Sequence, residues 1–124
     1  MRFRVLVVDD SALSRRSLRQ ILEPAGYEVA EAEDGHTGLR ALETVIPDVL
    51  VVDFAMPGLN GAEVAEAAWA RLPGLPIVFA SGYADTAAIE DVAGPNTPIL
   101  RKPFRVDELK VAVAEALRMN TTRA

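Results

Sequence analysis

Three carboxylates, a hydroxyl and an ammonium stand at the ends of short apolar runs in this chain. Asp9 and Asp10 follow the run from Phe3 to Val8, and Asp53 follows Val49 to Val52. Ser81 follows Ile77 to Ala80, and Lys102 closes the stretch from Pro98 to Arg101. Singly, each has an ordinary explanation. Asp-Asp-Ser is a helix-cap composition, an Asp after an apolar run is a common first turn residue, Ser81-Gly82 is a turn dipeptide, and Lys-Pro suits a solvated loop. Their coincidence is less ordinary. Three carboxylates gathered at neutral pH repel one another unless a cation neutralises them. The chain has no cysteine and a single histidine, His36, which falls at the start of a helix away from these run ends and reads as a surface residue. A donor set of carboxylate oxygens favours Mg²⁺, with Ca²⁺ and Mn²⁺ next. A lysine opposite the metal calls for an anion between them, and lysine binds phosphate as a point charge. A carboxylate can attack a phosphoryl group to give an acyl phosphate. The remaining work is positioning and charge neutralisation, within reach of Mg²⁺, Lys102 and Ser81.

This chemistry requires the run ends to meet, and the order of elements provides for that. The Phe3–Val8 run lacks polar alternation, as expected for a strand buried on both faces. Ser11 caps a helix over about residues 12–23 with Leu18, Ile21 and Leu22 inward; Pro24 and Gly26 stop it. Tyr27 to Ala32 reads as a more polar edge strand. Asp34 caps a second helix with Leu39, Leu42, Val45 and Ile46 inside, ended by Pro47. Val49 to Val52 is the third strand, 54–60 a loop, and about 62–72 a third helix packing through Val64, Ala68 and Trp69. Ile77 to Ala80 is the fourth strand, and Asp85 opens a short fourth helix whose large apolar residues are Ile89 and Val92. Pro98 to Arg101 is the fifth strand. A last helix over about 106–118 repeats Val106, Leu109, Val113 and Leu117 at helical spacing. Strands alternating with helices predict an α/β, flavodoxin-like, doubly wound parallel sheet of five strands in the order 2-1-3-4-5 with five helices. In such a sheet ligands bind beyond the carboxyl ends of the strands. The expected organisation is one domain over 1–119 and a flexible tail over 120–124.

Composition narrows the partners. The 124 residues carry a net charge of −5, which argues against nucleic acid and against an anionic membrane surface. No apolar run approaches the roughly 20 residues of a membrane span, and the N-terminus does not have the pattern of a secretory signal, so the cytoplasm is the expected compartment. Of 13 basic residues only Lys102 and Lys110 are lysines.

Together these residues resemble the receiver domain of two-component response regulators, over essentially the whole chain. The resemblance rests on Val7-Val8-Asp9-Asp10-Ser11, on Val52-Asp53-Phe54-Ala55-Met56-Pro57-Gly58-Leu59-Asn60-Gly61, on Ala80-Ser81-Gly82 and on Arg101-Lys102-Pro103-Phe104. It implies that Asp53 is the phosphoacceptor. It further implies that Asp10, Asp53 and the Ala55 backbone carbonyl bind Mg²⁺, with Asp9 doing so directly or through water. Ser81 and Lys102 would then contact the phosphoryl oxygens. The implied donor is a phosphohistidine on a histidine kinase or a histidine phosphotransfer protein. The chain would be a signalling phosphoacceptor rather than an enzyme with a substrate of its own. A phosphate-independent, receiver-like interaction module and the receiver fragment of a hybrid histidine kinase are the alternatives. A metal-dependent phosphatase ranks behind them, because Ala55 stands where aspartate-nucleophile phosphatases carry a second Asp.

Two positions depart from the family pattern. Many receivers place an aromatic residue three positions before the lysine, whose rotamer couples to the hydroxyl of the fourth strand. Here that position is Ile99, so Ser81 lacks its usual switch partner. Ser81-Gly82-Tyr83 resembles receivers that work with hybrid kinases, and Tyr83 is expected to cover the phosphoryl group and modulate its hydrolysis. The residues after Arg118 are too few for a DNA-binding unit, so output is expected through a downstream protein or onward phosphotransfer. A monomer is expected, with a dimer through the fourth helix, fifth strand and fifth helix as the alternative.

Overall fold

The computed structural model describes residues 2–95 and 97–123; of Tyr83 and 119–123 it describes the backbone alone. The elements run β1 (Arg4–Val8), α1 (Ala12–Leu22), β2 (Glu28–Ala32), α2 (Gly35–Ala41), β3 (Val49–Asp53), α3 (Gly61–Arg71), β4 (Ile77–Ser81), a 3-10 turn (Tyr83–Asp85), α4 (Thr86–Ala93), β5 (Ile99–Arg101) and α5 (Val106–Arg123). The five strands are parallel and ordered β2-β1-β3-β4-β5, as expected.

The period-two geometry of the central strands divides their side chains between two cores. Leu6, Val8, Leu50, Val52, Ile77 and Phe79 face α2, α3 and α4. Val5, Val7, Val49, Val51, Val78 and Leu100 face α1 and α5. Continuous apolar runs in β1, β3 and β4 are therefore what two-sided burial requires. The edge strand β2 carries exposed glutamates, Glu28 and Glu31.

Three expectations about packing are corrected. Ile46 is 65% exposed rather than inside, and Val45 is only half-buried. α2 ends at Ala41, with Leu42 as its C-cap, so the 3.6-residue period that would have turned Ile46 inward no longer operates there. Val106 is 51% exposed, because it begins α5 ahead of the turn that lies on the sheet; Leu109 and Val113 are fully buried. α5 also continues to Arg123, past the expected end at Arg118, and Ala124 lies outside the described residues.

Candidate functional site

The carboxyl ends of β1, β3, β4 and β5 meet as the topology demands. Asp53 is the last residue of β3 and pairs in register with Ala80, and Ser81 pairs with Arg101. Asp9 and Asp53 are buried, at 2% and 7% exposure, whereas Asp10 faces solvent. One carboxylate oxygen from each of Asp9, Asp10 and Asp53 lies within 4.8 Å of the others. Lys102 reaches across from the end of β5, and its Nζ donates to Asp53 Oδ1 at 2.9 Å. The lysine side chain stays 40% exposed.

Local structure holds each group in place. The Asp9 carboxylate accepts from the Ser11 backbone N–H at 2.9 Å, while Ser11 caps α1 by accepting from the Ser14 N–H. Arg15 on α1 donates to the Asp9 carbonyl at 2.7 Å and to Glu31 on β2 at 3.1 Å. Arg19, one turn later, donates to Glu31 at 2.6 Å. The Arg19 bond, with that of Arg15, holds the Glu31 carboxyl below its usual range against the opposing effect of burial. α1 is thereby clamped across the β1–β2 edge behind the acidic pair.

Asp53 is fixed from the other side. The Phe54 N–H donates to the Ala80 carbonyl, and the Gly61 N–H donates to the Phe54 carbonyl at 2.9 Å. A Cβ on Gly61 would meet the Phe54 Cα at 2.8 Å and the Asp53 carbonyl oxygen at 3.0 Å. Only glycine lets the first turn of α3 lie this close to the end of β3. Asn60 and Glu63 close a reciprocal capping box at that turn. The sequence had marked Asn60-Gly61 only as the end of a loop.

Electrostatics at Asp53 oppose one another. Burial pushes its carboxyl above the ordinary carboxylate range, the Lys102 ammonium pulls it back, and the charges of Asp9 and Asp10 add to the rise. A buried carboxylate beside two others and one lysine has too little positive charge around it. That deficit, with an all-oxygen donor set, fits a hard divalent cation.

Ser81 is buried at 2% exposure, and its hydroxyl is already engaged. Oγ donates toward the Gly82 carbonyl at 2.8 Å and toward Asp85 Oδ2 at 2.9 Å. Arg101 also donates to the Gly82 carbonyl, at 3.2 Å. Asp85 therefore does not open α4 with a side-chain cap; it occupies the N-cap position without making a cap bond. Ile99 is half-buried and in register with Phe79. Ala55 lies in the exposed start of the β3–α3 loop, and His36 is on the surface. The Tyr83 side chain, expected over the phosphoryl position, lies outside the described residues.

The chain matches a family model described as the response regulator receiver domain over residues 5–114. Among curated proteins it is 35% identical over 123 residues to the DNA-binding response regulator MtrA of Mycobacterium tuberculosis, covering 97% of this chain and 53% of that one. It is 31% identical over 115 residues to a cyclic di-GMP phosphodiesterase of Thermotoga maritima, covering 92% of this chain and 31% of that one. The chain thus spans about a third to a half of the length of these relatives. Among solved structures, a CheY-like response regulator receiver domain protein from Methanospirillum hungatei superposes with a TM-score of 0.90 at 28% identity, with both chains covered completely. NtrX from Brucella abortus gives a TM-score of 0.90 at 26% identity, covering 99% of this chain and 29% of that one. The fold, the meeting of strand ends and the family match agree, and the chain belongs to the response regulator receiver domain family of two-component signalling.

Proposed function

We propose that this receiver domain accepts a phosphoryl group on Asp53 from a phosphohistidine, with Mg²⁺ bound beside it. The observation that carries the reading is the placement of Asp53 between the Asp9–Asp10 carboxylates and the Lys102 ammonium. In the transfer an Asp53 carboxylate oxygen attacks phosphorus, a P–O bond forms, the P–N bond breaks, and the imidazole leaves with a proton. Hydrolysis by water later returns the carboxylate and inorganic phosphate. Asp9, Asp10, Asp53 and the Ala55 backbone carbonyl would hold the Mg²⁺, which supplies charge neutralisation for the phosphoryl oxygens. Lys102 neutralises a further oxygen from the opposite side, and its existing contact keeps the ammonium poised at the acceptor. Ser81 contacts another phosphoryl oxygen once its hydroxyl is released. Tyr83, two residues on, shields the product from water.

The donor is a histidine kinase or a histidine phosphotransfer protein, and the output is contact with a downstream protein or onward phosphotransfer. The net charge of −5 speaks against nucleic acid as a direct partner of these residues. No helix is long and apolar enough to cross a membrane among the described residues, and a cytoplasmic, monomeric signalling domain is the reading we adopt. Incubation with an acyl phosphate donor and Mg²⁺ tests it. Wild type is expected to gain one phosphoryl group by mass spectrometry, with none on Asp53→Asn and at least about a tenfold slower gain on Lys102→Ala. Labelling that persists in Asp53→Asn, or that ignores removal of the metal by chelator, rejects it.

A further inference from the structure

Four helices of the described chain have assigned N-caps, and one differs from the rest. Ser11, Asp34 and Asn60 have extended backbone, with ψ of 117°, 176° and 173°, and each side chain accepts a bond from the first turn of its helix. Asp85 has a carboxylate as good as any of these for capping. Yet its backbone is helical, at φ −94° and ψ −1°, and its side chain makes no cap bond. Its Oδ2 accepts the Ser81 hydroxyl at 2.9 Å instead. The single hydroxyl proton of Ser81 is shared between Asp85 and the Gly82 carbonyl.

We propose that Asp85 anchors the Ser81 hydroxyl in the unphosphorylated state and is released to cap α4 when that hydroxyl turns to a phosphoryl group on Asp53. The inference rests on the phosphorylation of Asp53 proposed above. A hydroxyl has one proton to donate, so turning it toward a phosphoryl oxygen takes it from Asp85. Phosphorylation must therefore break a charge-assisted bond, which disfavours the competent arrangement. The freed carboxylate then stands at the N-cap position, from which it can accept from the first-turn N–H groups of Ala87 and Ala88. Capping them requires Asp85 to move from helical to extended backbone, which re-aims the start of α4. This route from the site to α4 runs through the 3-10 turn and needs no aromatic residue at Ile99.

Asp85 is a positioning residue on this account, acting through Ser81. With an acyl phosphate donor and Mg²⁺, Asp85→Ala is expected to take up phosphoryl about fivefold faster than wild type. The gain should vanish when both variants are made in a Ser81→Ala background. Asp85→Asn, which keeps a neutral acceptor and the side-chain shape, should lie between the two and stands in if Asp85→Ala does not fold. A second measurement needs no phosphoryl group. Ser81→Ala frees Asp85 directly, so amide exchange at Ala87 or Ala88 should slow severalfold by NMR. Equal or slower uptake in the Asp85 variants overturns the inference, as does a gain that survives in the Ser81→Ala background or unchanged exchange at both amides. Wild type that takes no label at all overturns the phosphorylation reading and this inference together, whereas wild type that labels at the rate of Asp85→Ala overturns the inference alone.

Discussion

α3 and α4 pack side by side on the same face of the sheet, and they are held by different means. α3 starts in a capping box and buries Gly61, Ala62, Val64, Ala65 and Ala68. These are small residues, so the helix lies close to β3 and its first turn touches the backbone that carries Asp53. Its far end is tied as well, because the Trp69 indole N–H donates to the Leu75 carbonyl at 2.8 Å. α4 starts without a cap bond, and Ile89 is its one buried residue among those described. A helix fixed at many small contacts keeps a site in register. A helix with a single buried side chain can move at a smaller cost in core packing. The Asp53 carboxylate is thus braced by α3, whereas α4 is held through fewer buried contacts.

The contrast can be broken by experiment, beginning with the largest effect. Ile89→Ala should cost about 3 kcal/mol in denaturant unfolding and should speed amide exchange in α4 well before that in α3. Equal acceleration of both helices would mean that they move as one unit. Overpacking gives the next effect. Ala65→Leu, at a fully buried position, should cost about 2 kcal/mol, whereas Ala88→Leu on the exposed face of α4 should change stability by less than about 0.5 kcal/mol. Matching losses at the two sites would erase the distinction.

The caps give smaller effects. Asn60→Ala should cost about 1 kcal/mol by thermal or urea unfolding. Asp85→Ala breaks no cap bond, so its cost is that of the bond from Ser81 alone. The smallest effect is expected at Asp53 and depends on pH. Burial raises the folded-state value of Asp53 above 3.8. Below that ordinary value folded and unfolded chains are both protonated, and Asp53→Asn should match wild type. As pH rises through the window up to the raised value, the unfolded chain releases its proton first and wild type loses stability. Asp53→Asn should therefore be the more stable protein at neutral pH, by a margin that Mg²⁺ narrows. A margin that shrinks with rising pH would contradict the assigned direction.

Sequence reasoning recovered the strands and their order because β1, β3 and β4 are uninterrupted apolar runs and β2 is not. It brought Asp9, Asp10, Asp53, Ser81 and Lys102 to one place because the ends of parallel strands must converge. It failed where a side chain's direction depends on tertiary structure. Ile46 continues a helical pattern, yet α2 stops short of it at Ala41. Asp85 has the composition of a cap, but a buried hydroxyl competes for it. Arg15 and Arg19 are spaced one turn apart on α1, a signal for one shared acceptor, but Glu31 could be found only once β2 was placed beside β1. Gly61 resembles any glycine that follows a turn, and only the approach of α3 to Phe54 reveals why no other residue fits.

The contact between Lys102 and Asp53 joins residues 49 positions apart, and the lysine directly follows the last strand. On the ribosome this order matters. A nascent chain that has assembled β1, β3 and β4 holds three carboxylates together with no lysine yet delivered to them. Arrival of β5 completes the sheet and brings the first positive charge to the carboxylates in the same step. A chain interrupted before Lys102 therefore lacks both α5, with Leu109 and Val113 of the core, and the ammonium that Asp53 contacts.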